Sequence, residues 1–125
     1  MRKVGILIGV AALVSAIAMA GAPRRAAAAG DEDDSASSQY LVYCAKCHGP
    51  SGHGDGANAS TLKTRPRDFS DCATMKQISD DTMFKAIKEG GAAVNLPGDM
   101  PPWGQAFDDG EIKGLIAYVR TFCKK

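Results

Sequence analysis

A long apolar run, "VGILIGVAALVSAIAMAGA" at residues 4 to 22, follows the charged pair Arg2 and Lys3 and precedes small residues that end at Ala29. A charged start, an apolar stretch and small residues before a polar segment are the layout of a secretory signal. Small-x-small cleavage sites lie after Ala20 and after Ala29, and the second leaves the polar "GDEDDSASS" as a mature start. The alternative is an uncleaved anchor, since about 20 apolar residues span a bilayer. The many alanines and glycines dilute the run and favour cleavage, and in both cases the remainder of the chain is exported.

Beyond the leader the hydrophobic spacing is helical. Ser37 or Ser38 can cap a helix carrying Tyr40, Leu41, Tyr43 and Cys44. Ser79 caps "SDDTMFKAIKEGG", with Asp80 and Asp81 placed well in the first turn, Ile78 able to staple to Met83, and Gly90 or Gly91 as terminator. Asp108 and Glu111 form a capping box flanked by Phe107 and Ile112, after which Ile112, Leu115, Ile116 and Val119 mark one buried face. "GPSGHGDGANASTLKTRPRDF" is a long turn-rich loop, of the kind that wraps something or carries function. "AAVNLPGDMPPWGQAF", with prolines at 97, 101 and 102, cannot be a regular element. No alternating strand pattern or repeat is visible. The expectation is an all-α domain at 37–125, three or more short helices with long ordered loops, behind a signal peptide at 1–29 and a flexible acidic leader at 30–36.

Charge and size narrow the function. Removing Arg2, Lys3, Arg24 and Arg25 with the leader leaves 11 Lys and Arg against 14 Asp and Glu, a weakly acidic module that argues against nucleic acid as a partner. A domain this small buries only about 60–65% of the surface of its unfolded chain. A large apolar cofactor would supply part of the missing core.

The chemistry concentrates in "YCAKCHGP", where Cys44 and Cys47 stand two residues apart and His48 follows directly. A redox dithiol would need a βαβ context, and no strand precedes Cys44. A zinc site would need four ligands, and Cys72 and Cys123 do not form a second close pair. Covalent haem attachment needs this order: two thiols a helical step apart add to the vinyl groups and the adjacent histidine ligates iron. Export agrees, because that attachment is made outside the cytoplasm.

From about residue 37 to 125 the chain resembles the class I, single-haem bacterial cytochromes c. The residues that carry the resemblance are "CAKCHG" at 44–49, Tyr40 ahead of it, "MPPWG" at 100–104 and "LIAYVR" at 115–120. It implies a small cytochrome c fold wrapped around one haem c. It also implies that Tyr40 packs against Leu115 and Tyr118 of the last helix, that Met100 is the sixth iron ligand, and that a proline carbonyl, here Pro66, accepts the proximal imidazole N–H. The sequence agrees on Met100, since Pro101 and Pro102 hold it in an extended loop, whereas Met75 and Met83 read as core packing. Arg67 or Trp103 can reach a haem propionate, with a solvated arginine and a packing indole as the alternatives. His53 reads as an exposed loop histidine, and Lys46, Lys76, Lys85, Lys88, Lys124 and Lys125 as either a partner-steering ring or scattered solvated charges. Cys72 and Cys123, spare thiols in an oxidising compartment, are expected to pair, with two buried free cysteines as the alternative.

The functional expectation is a periplasmic single-electron carrier that is not an enzyme, with redox proteins as partners and a membrane involved only if the signal is retained. The alternatives are a dedicated haem subunit of a larger oxidoreductase or oxidase and, further off, a gas- or peroxide-reactive haem protein.

Overall fold

The computed structural model describes residues 35–124, and the expected signal peptide and the start of the acidic leader lie outside these residues. Among the described residues all regular structure is helical. Helix α1 is α-helical over residues 35–39, widens into a π turn at Tyr40–Cys44 and closes with the α-turn Ala45–His48. Ser37 and Ser38 therefore sit inside the helix rather than capping it. Ser35 and Ala36, expected in the leader, belong to it too, because Ala36 is buried against the domain. The π turn is closed by the Ala45 N–H donating to the Tyr40 carbonyl. Single π turns of this sort recur at functional sites.

Helix α2, Cys72–Met75, is a single turn capped by Asp71, whose side chain accepts from the Thr74 N–H. Helix α3, Asp80–Glu89, starts where expected: the Ser79 hydroxyl accepts from the Thr82 N–H at 3.1 Å, and Asp80 and Asp81 occupy the first turn. Gly90, at φ 90°, ends it in a conformation few other residues adopt. A 3-10 turn at Gly91–Val94 occupies the start of the segment expected to be irregular. Helix α4, Asp109–Thr121, carries the capping box: Asp108 accepts from the Gly110 and Glu111 N–H groups, and Glu111 accepts from the Asp108 N–H. No described helix is long and apolar enough to cross a membrane.

The core forms where α1 meets α4. Tyr40, Met75, Ile112 and Leu115 are fully buried, with Met83, Phe107, Ile116, Val119 and Phe122 around them. Each such side chain contributes about 1.5–3 kcal/mol relative to an exposed one. Tyr40 packs on Tyr118 at 5.3 Å and on Phe122 at 5.1 Å, so α1 is held by the last helix, the packing the resemblance implies. Gln39 adds a 2.8 Å hydrogen bond to Glu111. Arg120 ties the other side: its guanidinium donates to the Met75 and Ile78 carbonyls and meets Asp80 at 2.7 Å, satisfying acceptors between α2 and α3. Cys72 and Cys123 are joined by a disulfide, their Cα atoms 5.2 Å apart.

Candidate functional site

The motif turn Ala45–His48 leaves C-terminal carbonyls that have no partner within the helix. The glycine-rich loop supplies donors for all of them: Gly49 N–H to Ala45, Asn58 to Lys46, Gly56 to Cys47 and Gly54 to His48, at 2.8–3.1 Å. The loop thus runs back along the turn and clamps it. Gly56 has to be glycine for this approach, since a Cβ there would lie 2.4 Å from both the Ala45 and Lys46 carbonyl oxygens. Tyr40, whose phenol burial pushes well above its usual range, donates to the Gly49 carbonyl at 2.7 Å.

His48 is positioned by two neighbours. Its Nδ1 lies 3.3 Å from the Arg67 carbonyl, and its ring lies flat on Phe69, with centroids 4.4 Å apart and planes 16° from parallel. The expected acceptor was the Pro66 carbonyl. The Pro66 carbonyl faces Gly54 instead, 2.3 Å from where a Gly54 Cβ would stand. Burial lowers the imidazole's affinity for a second proton, and the Arg67 carbonyl partly opposes that shift. A neutral imidazole with one nitrogen donating to a carbonyl is the form that binds a metal through the other.

Met100 comes from the opposite wall. Its strap is hung from the end of α3: the Met100 carbonyl accepts from Gly91, and the backbone N–H groups of Trp103 and Gly104 donate to the Ile87 and Lys88 carbonyls, at 2.9–3.0 Å. Lys88 in turn pairs with Asp109 at 2.7 Å, linking the strap to α4.

Between the two walls lies an apolar cavity of about 40 Å³, lined by Cys44, His48 and Met100 together with Tyr40, Phe69, Ile87, Trp103, Phe107, Leu115 and Val119. Met75 and Met83 lie in the core cluster and are absent from this lining. Cys44 and Cys47 are free and half-buried, and burial pushes the Cys44 thiol up to about 11. The volume is far below that of a macrocycle, so the test of fit is the chemistry of the lining. The Cys44 thiol, an imidazole and a thioether in one lining of otherwise aliphatic and aromatic side chains, with the free Cys47 thiol three positions from Cys44 but outside the lining, suit a covalently held porphyrin and its iron.

The other residues singled out in the sequence are dispersed. Arg67 is exposed and meets the site through its carbonyl, while Trp103 lines the cavity and packs edge-on to Tyr43 at 5.6 Å. His53 is exposed and hydrogen-bonded to Ser70 at 2.9 Å, with Asp68 3.5 Å away. Among the lysines Lys88 is engaged by Asp109, whereas the side chains of Lys124 and Lys125 lie outside the described residues. The residue that sequence reasoning missed is Phe69. Its signal was a lone aromatic closing a polar, turn-rich loop, where only burial against something would explain it.

The family model described as cytochrome c oxidase, cbb3-type, subunit III matches residues 31–119. The solved structure of the KustC0563 c-type cytochrome is 29% identical with a TM-score of 0.58, and the match covers 70% of this chain and 95% of that one. A second, from the Kuenenia stuttgartiensis reducing HAO-like protein complex Kustc0457/Kustc0458, is 25% identical with a TM-score of 0.57 and covers 74% of this chain and 44% of that one. No curated protein matches the chain. With the family match running over most of the sequence, and this fold behind it, the protein belongs to the cbb3-type subunit III family of cytochromes c and carries covalently bound haem c.

Proposed function

We propose that this protein is an exported single-electron carrier of the periplasm in which Cys44 and Cys47 hold the haem through thioether bonds and His48 and Met100 are the axial ligands of its iron. The observation that carries the reading is the convergence of Cys44, His48 and Met100, from segments far apart in sequence, on one apolar cavity. The bound haem supplies a one-electron iron couple. The chain's own part is to hold, orient and dry that couple. His48, neutral and donating Nδ1–H to the Arg67 carbonyl, keeps Nε2 as its ligating atom. Met100 offers a soft thioether, which favours the reduced iron and raises the potential. Both ligands sit on backbone pinned by hydrogen bonds, so little has to move when an electron passes. Tyr40, Leu115 and Val119 close the apolar wall that excludes water. Pro66 precedes Arg67 and turns its own carbonyl to Gly54, the Arg67 side chain stands exposed where a propionate can meet it, and the Trp103 indole is the alternative donor. The N-terminal leader and the Cys72–Cys123 disulfide support the exported location.

A haem subunit docked permanently on a larger oxidoreductase is the second reading. Leu41, Val42 and Tyr43, about half exposed in sequence next to Cys44, favour it, and one similar protein is named as part of a complex. Visible spectra of protein matured with haem-attachment machinery separate ligand sets. Narrow reduced bands with a far-red sulfur-to-iron band that Met100→Ala abolishes support the carrier. A wild type that lacks that band or binds carbon monoxide readily overturns the His48/Met100 pair. Co-purification at native expression with one larger chain in fixed ratio moves the assignment to the subunit.

A further inference from the structure

The Cys72–Cys123 disulfide is connected to the His48 ring through two aromatic side chains. The imidazole stacks on Phe69, and Phe69 is nearly parallel to Phe122, at 14° with centroids 6.4 Å apart. Phe122 immediately precedes Cys123, and Cys72 follows Phe69 by three positions, so the disulfide ties together the two backbones that hold these rings. The seat has no slack. The Phe69 N–H donates to the Gly52 carbonyl at 2.6 Å, and Gly52, at φ 76°, would place a Cβ 2.9 Å from the Phe122 ring and 3.2 Å from the Phe69 Cβ. A single hydrogen bond to the Arg67 carbonyl leaves an imidazole free to rock about that axis, and a ring pressed on its face removes the freedom.

We propose that Phe69, backed by Phe122 and clamped by the Cys72–Cys123 disulfide, is a positioning residue that fixes the plane of the His48 imidazole about its bond to the iron. This rests on the reading of His48 as the proximal ligand. The rotation of the imidazole plane would set which iron and haem orbitals it overlaps, so the rings would act on the iron without touching it.

The test is proton NMR of the oxidised, haem-loaded protein, in which the order and spread of the haem methyl resonances follow the orientation of the axial ligand planes. Phe69→Leu is expected to reorder those resonances while keeping the far-red sulfur band, and Phe69→Tyr, which keeps the ring, to restore the wild-type order. Phe122→Leu and the double variant Cys72→Ser with Cys123→Ser are expected to shift the resonances in the same sense as Phe69→Leu, by less. A wild-type pattern in Phe69→Leu overturns the proposal. Wild-type patterns in both Phe122→Leu and the cysteine pair overturn the backing and the clamp, and Phe122→Leu decides this alone if the cysteine pair does not accumulate. A parent protein without a low-spin His/Met spectrum shows, before any variant is compared, that the ligand assignment itself has failed, and the proposal falls with it.

Discussion

The two walls of the cavity are built on different principles. The motif wall is held many times over: every exposed carbonyl of the turn has a donor from the glycine loop, His48 is bonded on its edge and stacked on its face, and a disulfide locks the layer behind it. The Met100 wall hangs on three backbone hydrogen bonds, the Lys88–Asp109 ion pair and the stiffness of Pro101 and Pro102. On the proposed reading, redundancy suits the side that would carry the covalent bonds, and economy suits the side where one thioether would have only to stay within reach. The wall with fewer ties is also where local opening costs least.

The largest contrast is expected on deleting a ligand from each wall. Cys44→Ala with Cys47→Ala should abolish covalent haem, read as complete loss of haem stain on a denaturing gel. Met100→Ala should keep the stain and lose the far-red band, with a lower reduction potential in titration. Removing the disulfide comes next. It closes a loop of sequence separation 51, for which chain entropy gives about 4 kcal/mol at most. The midpoint of denaturant unfolding of the Cys72→Ser, Cys123→Ser protein should fall accordingly, and an unchanged midpoint would place the clamp's effect in orientation alone.

A matched pair of glycine substitutions sharpens the comparison at smaller amplitude. Gly56→Ala forces a Cβ against two carbonyl oxygens and is expected to cost about 1–3 kcal/mol. Gly98→Ala, in the chain leading to Met100, meets nothing within 4 Å and is expected to be neutral or stabilising by under about 1 kcal/mol. Equal losses in urea unfolding would dissolve the distinction between the walls. The smallest effect concerns pH and the haem-free chain. Burial, with the neighbouring Cys47 second, raises the Cys44 thiol from 9.0 to about 11. A raised folded value means the folded chain keeps a proton that the unfolded chain has lost. The thiol's contribution is therefore whole below pH 9 and is lost as pH rises toward 11. Alkylation of Cys44 followed against pH should show half-maximal rate near the upper figure, and a profile centred on the ordinary thiol value would mean that this side chain is not shielded.

Local chemistry made much of this legible. Ser79, Gly90 and the Asp108/Glu111 box define helix ends by interactions spanning a few residues, and the structure has each of them. The prolines after Met100 single it out over Met75 and Met83, and it is the methionine that lines the cavity. What was not legible depends on register or on distant partners. Whether Pro66 or Arg67 offers its carbonyl to His48 depends on how their shared loop packs against the motif turn and Gly54. Phe69 meets His48 across a fold-back that only the assembled glycine loop creates. The π turn at Tyr40–Cys44 accompanies Tyr40 buried in the α1–α4 core and Tyr43 packed on Trp103 and Phe107, contacts that no local propensity encodes.

The contact between Gln39 and Glu111 joins residues 72 apart, and Arg120 reaches back 42 and 45 positions to the Ile78 and Met75 carbonyls. A chain is synthesised from its N-terminal end, so α1 exists long before the helix that buries Tyr40 arrives. Contacts this distant cannot reward the loop closures they require until the last residues are made. Until that last helix is made, "CAKCH" has no partner to fold against and its sulfurs stay reachable.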